Sequence, residues 1–169
     1  MDATILAYIA GFLDGDGSIF FQLVRRKDYI FGYQIRCSVA FYQKSNHAEI
    51  LHWLKSIFQC GYIRHRKTGM SDYTIVEPDE VRRILELLKE HVRLKHEHAK
   101  IGIEILDGLR KVGSADDFLG LCSLVDRFKD LNYSKKRTMT SEKVREFLKQ
   151  HNYLAPVETD PEEGESHPS

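Results

Sequence analysis

Two strand–turn–strand segments, separated by one helix and followed only by helices, set the limits on how this chain can fold. Ser18 to Arg26 and Tyr33 to Gln43 are rich in Ile, Phe, Val and Tyr and flank the turn Lys27-Asp28-Tyr29-Ile30-Phe31-Gly32. Gly61 to Arg66 and Asp72 to Val76 form a second pair around Lys67-Thr68-Gly69. Between the pairs, Ser45 or Asn46 is placed to cap a helix reaching Phe58, with Ile50, Leu51, Leu54, Ile57 and Phe58 on one face. Connections this short make antiparallel hairpins, and two hairpins can join into one sheet. The expected fold class is therefore α+β, with a four-stranded antiparallel sheet and helices on one of its faces.

The remaining elements follow the same logic. Ile5 to Leu13 has helical spacing and stops at Asp14-Gly15-Asp16-Gly17. Pro78 suits the first turn of a helix to about His91. Helices from about His96 to Lys111 and from Ala115 to Asp130 come next, and a last one starts at Thr140, Ser141 and Glu142 and ends near Gln150. Residues 1–152 are expected to form one domain. Pro, Glu, Gly and Ser dominate the end of the chain, so 153–169 is expected to be an acidic, disordered tail. The 169 residues suffice for a buried core. No apolar run approaches a membrane span and no leader is evident, so the expectation is an intracellular protein without a membrane partner. Cys37, Cys60 and Cys122 are odd in number and far apart, which suggests neither a disulfide framework nor a zinc ribbon.

Strand alternation separates the two faces of the sheet. Phe21 and Leu23, then Ile35, Cys37, Val39 and Phe41, then Ile63, Tyr73 and Ile75 should meet the helices. The opposite parity carries Gln22, Val24 and Arg26, then Gln34, Arg36, Ser38 and Ala40, then Tyr62, Arg64, Arg66, Asp72 and Thr74. Those side chains have the chemistry of base-edge readout: Arg for guanine, Gln for adenine, Asp for the cytosine amino group, Val for the thymine methyl. Tyr29 in the first turn joins the candidate set. A formal net charge of zero conceals the field around them. Five acids lie in the last twelve residues; without these, 25 basic residues stand against 20 acidic ones. Ser18 to Val76 alone holds nine Lys and Arg against three acids. Such a field suits nucleic acid, although an ordinary solvated sheet face has similar composition.

Ala7, Gly11 and Gly15 recur four residues apart, which places three small residues on one helix face where two backbones can approach closely. Tyr8 and Phe12 flank that face. Asp14 and Asp16 sit at the helix end, where a carboxylate opposes the helix dipole unless something compensates it, as a bound divalent cation would. A calcium loop is excluded: Asp14-x-Asp16-x-Ser18 imitates its start, but Ile19 stands where glycine is needed and Arg25 where glutamate is needed. A plain acidic turn remains open on these residues alone. His96 and His98 lack partners at ligand spacing and are expected on a helix surface.

Ile9 to Gly17, IAGFLDGDG, resembles the motif of the LAGLIDADG homing endonucleases. The resemblance extends through Gln43-Lys44, Gly61-Tyr62-Ile63-Arg64, Ser71-Asp72-Tyr73, Leu94-Lys95, Phe118-Leu119, Val125-Asp126, Leu131-Asn132 and Thr140-Ser141-Glu142, covering about residues 5 to 150. It is closest to the single-motif members encoded in organellar or archaeal rRNA introns. That implies a saddle-shaped sheet for DNA and a homodimer with Ala7, Tyr8, Gly11, Phe12 and Gly15 at its interface. It also implies a site-specific endonuclease that hydrolyses phosphodiester bonds in a long pseudo-palindromic site of double-stranded DNA. Asp16 and the Gly15 carbonyl become the expected metal ligands. Mg²⁺ is the expected ion, and Mn²⁺ or Ca²⁺ can take the same sites. Asp16, Gln43 and Lys95 become the expected catalytic residues, with Gln43 organising water and Lys95 beside the scissile phosphate. His47 falls where relatives carry a basic residue. Asp14 is expected to anchor the motif helix rather than bind metal. Ser134, Lys135 and Arg137 are expected to touch phosphates. An organellar intron implies chloroplast or mitochondrion, and an archaeal one the cytoplasm. An RNA-splicing maturase, or a non-catalytic DNA-binding protein of the same fold, is the alternative.

Overall fold

The computed structural model describes residues 1–132 and 138–154. Its elements are α1 (Ala3–Asp16), β1 (Gly17–Arg25), β2 (Tyr33–Lys44), a single 3₁₀ turn (Ser45–His47), α2 (Glu49–Phe58), β3 (Tyr62–His65), β4 (Met70–Ile75), α3 (Pro78–Leu88), α4 (His96–Leu109), α5 (Ala115–Leu131) and α6 (Ser141–Gln150). The four strands form one antiparallel sheet in the order β1-β2-β4-β3, so the two hairpins join through β2 and β4. Among the described residues, no helix is long and apolar enough to cross a membrane.

The inward parity is as the alternation predicts. Phe21, Val39, Phe41, Tyr73 and Ile75 are fully buried, and Leu23, Ile35 and Cys37 nearly so. Phe21 packs on Phe128 of α5 at 5.0 Å between ring centres, and Phe41 stacks on Tyr73 at 6.1 Å. Gly102 of α4 permits a close approach to the sheet, because a β-carbon there would lie 2.8 Å from the Phe21 ring. The helices start where local chemistry supplies acceptors for their free N–H groups. Asp2 accepts from Thr4 N, Pro78 stands at the first position of α3, and Ser114 and Asp117 close a reciprocal capping box on α5. Asp126 accepts from Ser141 N and caps α6 from a neighbouring helix.

Several boundaries differ from the sequence reading. α1 does not stop before Asp14; it runs through Asp16 and gives way to extended backbone at Gly17. The Asp14 carboxylate accepts from Arg93 N and Lys95 N, at 2.7 and 3.0 Å, and the Lys95 ammonium donates to the Asp14 carbonyl at 2.7 Å. These bonds compensate the Asp14 carboxylate at the end of the helix dipole, where a bound cation was the expected compensation. α2 is capped by Ala48, not by Ser45 or Asn46, and no side chain accepts there. Ser45 is instead engaged with Ser71, their hydroxyls 2.8 Å apart. His96 is exposed as expected, but His98 is only 7% exposed, because it lies on the side of α4 that meets α5. Tyr153, assigned by composition to the tail, stands edge-on to Phe31 at 5.9 Å, and Leu154 packs against the core. The rest of the acidic tail lies outside the described residues.

Candidate active site and nucleic-acid interface

α1 presents its small residues outward. Ala7, Gly11 and Gly15 are exposed, and a β-carbon on Gly11 or Gly15 would meet nothing within 4 Å. Tyr8 is 57% exposed and stands edge-on to Trp53 of α2. Phe12 has two roles: its ring packs against Phe41 at 5.7 Å, and its outer edge reaches the surface. Beside this face runs an open depression of about 700 Å³ whose walls include Ala7, Gly11, Phe12, Asp16, Gln43 and His47. The proposed interface and two of the three expected catalytic residues therefore share one surface. Glu49, which the sequence reading did not single out, lines it as well.

Asp16 is exposed in the last turn of α1. Among the described residues the Gln43 side chain has one hydrogen bond, taken by its Oε1 from Lys44 N at 2.8 Å, and its amide nitrogen remains to donate. Lys95, the third expected catalytic residue, caps α4 and is half-buried. Burial pushes its ammonium pKa down, against the nearby charges of Asp14 and Asp16, which hold it up. Asp14 is tied up as an anchor, in keeping with the sequence reading. The Asp16 side chain makes no hydrogen bond or ion pair among the described residues and is the exposed carboxylate of the motif.

The fit of a divalent cation can be judged from these donors. An exposed carboxylate and the carbonyl of Gly15 near the helix end are oxygen ligands of the kind that Mg²⁺ or Ca²⁺ takes. Among the described residues no three His, Cys, Asp or Glu converge to hold a metal ion.

The outer face of the sheet is ordered by the strand register. Val24 pairs with Gln34, Gln22 with Arg36 and Phe20 with Ser38 across β1 and β2. Thr74 lies between Ala40 and Tyr62, and Asp72 between Tyr42 and Arg64, across β2, β4 and β3. Gln22, Arg26, Tyr29, Gln34, Arg36 and Ser38 line a common groove of about 430 Å³. Arg36 is exposed and has no ion pair among the described residues. Arg26 makes a two-pronged bond to Asp28 at 2.9 and 2.8 Å and lies over the Tyr29 ring.

Two expected readers are corrected by burial. Ala40 is only 3% exposed, enclosed in the middle of the sheet between β1 and β4. Asp72 has the predicted parity but is 1% exposed. Its carboxylate accepts from Arg66 at 2.6 Å, from Thr74 at 3.0 Å and from Arg64 at 3.3 and 3.4 Å. Burial raises its pKa, but the bonds from Arg66, Thr74 and Arg64 together hold it below the usual carboxylate value. Asp72 organises two arginines rather than presenting itself to a base. Phe20 and Tyr42 share the outer parity and were overlooked; Phe20 is 39% exposed, and the Tyr42 hydroxyl is 2.9 Å from Ser18 Oγ. Ser134, Lys135 and Arg137 lie outside the described residues.

Comparison with known proteins agrees with this geometry. The family model described as LAGLIDADG endonuclease matches residues 9–103. The DNA endonuclease I-CvuI of Chlorella vulgaris is 35% identical over 153 residues, spanning 90% of this chain and 95% of that protein. The DNA endonuclease I-CreI of Chlamydomonas reinhardtii is 36% identical over 144 residues, spanning 85% and 88%. A crystal structure of I-CvuI with the I-CreI target, in the presence of magnesium and with the DNA not cleaved, gives a TM-score of 0.85 at 34% identity, covering 90% of this chain and 97% of that one. This chain belongs to the LAGLIDADG endonuclease family.

Proposed function

We propose that this chain is a site-specific homing endonuclease that works as a homodimer on double-stranded DNA. It hydrolyses phosphodiester bonds within a long pseudo-palindromic site, with Mg²⁺ as the ion its oxygen donors suit. The observation that carries this reading is the opening of Asp16 onto the same depression as the uncovered Ala7 and Gly11 face. Crystal structures of I-CvuI with DNA in the presence of magnesium or calcium support a divalent ion. The algal source of both relatives favours the organellar setting over the archaeal cytoplasm.

The chemistry assigned to the residues follows from their places. Bound divalent ions, held by Asp16 and the Gly15 carbonyl of each copy, would stabilise charge on the attacking and leaving oxygens. Gln43 donates from its amide nitrogen and orients a water in the depression. Lys95, fixed by its bond to the Asp14 carbonyl, directs its remaining N–H donors and its charge toward the phosphate. The outer sheet face holds the duplex through Arg36, Arg64 and Arg66 and reads base edges with Gln22, Gln34 and Ser38.

The test is Asp16→Asn in full-length protein. The variant is expected to bind its DNA site with affinity close to that of the parent and to lose Mg²⁺-dependent cleavage by at least about a hundredfold. Cleavage that survives the substitution would remove Asp16 from the mechanism. Binding lost together with cleavage would point to a folding or docking role.

A further inference from the structure

His98 is the buried titratable group that the proposed mechanism does not use. It lies one turn after Lys95 on α4, in the interface with α5. Its Nε2 is 3.2 Å from Asn132 Oδ1, and its ring stands edge-on to Phe128 at 5.6 Å. Asn132 caps the end of α5, and Phe128 is packed on Phe21 of the sheet. Its buried Nδ1 has no hydrogen-bond partner among the described residues. This pattern fits one neutral tautomer: Nε2–H donates to Asn132, and Nδ1 is left as an acceptor, the cheaper of the two groups to leave unpaired.

We propose that His98 is a positioning residue for Lys95: as the neutral imidazole it fixes the first turn of α4 against the end of α5, and proton uptake releases that turn. The inference rests on the reading of the chain as a nuclease that uses Lys95. A proton on Nδ1 would be a buried donor without an acceptor. The groups that face it are Lys95 on the same helix, which repels an imidazolium, Asp14 of α1, which attracts it, and the Asn132 side chain and Leu131 carbonyl of α5, which also favour it. Burial is the largest influence and, with Lys95, outweighs the others, so the pKa lies below the ordinary 6.5. The cation is relieved by moving the ring toward water, which breaks the Asn132 contact.

The experiment follows the His98 ring and the Lys95 side chain by NMR in the full chain between about pH 5 and pH 8. Single-turnover cleavage by the parent, His98→Gln and His98→Phe is measured over the same range. Glutamine can donate to Asn132 but does not titrate; phenylalanine cannot donate. The expected NMR result is a His98 transition below pH 6.5, with Lys95 signals moving in step. His98→Phe should cut about tenfold more slowly than the parent near pH 8, and His98→Gln should restore most of that loss. The rate ratio of His98→Gln to parent should rise as pH falls, reaching about fivefold one pH unit below the NMR transition. Lys95 signals indifferent to His98, or a ratio flat with pH, would overturn the proposal. A parent protein that never cuts DNA would fail the nuclease reading, while the NMR titration would still decide the positioning role.

Discussion

Asp72 is where the residue scale departs most from the sequence. Parity places it on the outer face, and the chemistry of that face invites its reading as a contact to cytosine. The structure makes it the buried acceptor of Arg64, Arg66 and Thr74. Parity was legible because the strand repeat is two. Enclosure was not, since it depends on the β3–β4 register that sets Arg64 opposite Asp72. Asp72→Ala should therefore act twice. Losing charge-assisted bonds to half-exposed arginines should lower stability by roughly 1–3 kcal/mol, read as a drop in Tm. Freed of their partner, Arg64 and Arg66 should strengthen binding to arbitrary DNA and steepen its decline with salt, while discrimination of the true site weakens. Binding measured on specific and random duplexes across a salt series checks this. An unchanged salt slope would mean that the arginines do not face phosphate or base.

At the scale of the element, α1 joins two jobs that glycine makes possible for different reasons. At Gly11 there is open space, so a side chain there costs the folded chain little. At Gly17 a β-carbon would lie 2.7 Å from the Leu13 side chain and 2.9 Å from the Ala40 carbonyl oxygen, and backbone cannot yield as a side chain can. Gly17→Ala should therefore destabilise the fold itself, by about 1–3 kcal/mol as an overpacked contact does. Gly11→Leu should leave Tm of the single chain near that of the parent and abolish the dimer in sedimentation. A dimer that survives Gly11→Leu would move the interface off this face. The four-residue spacing was readable because it is local and periodic. The true end of α1 was not, because Arg93 and Lys95, which accommodate Asp14, lie about eighty residues away in the chain. α2 lost its expected cap for the same kind of reason, with Ser45 drawn to Ser71 across the hairpins.

For the whole molecule, the exposed Asp16 carboxylate and the length of the strands converge on one expectation. β1 and β2 have nine and twelve residues. At about 3.3 Å per residue they span roughly 30–40 Å, or about 10 base pairs of duplex. In the proposed dimer, one chain would read about half of a site and bring Asp16 and the Gly15 carbonyl to a shared metal centre, and two chains related by a two-fold axis would read about 20 base pairs. Cutting a randomised DNA library in Mg²⁺ and sequencing the ends tests both halves together. The recovered sites should carry two-fold symmetric preference over about 20 base pairs, with the two cuts placed symmetrically about the centre. Preference should be strongest at positions facing Gln22, Gln34 and Ser38, which share one groove, and weak at the pair nearest Ala40, which is enclosed. A site whose halves share no two-fold relation would require the two sheets of the dimer to read different sequences, which identical chains related by a two-fold axis do not do. A site of about 10 base pairs would mean that only one sheet is engaged, and the pairing of two Asp16 side chains would then no longer account for cleavage.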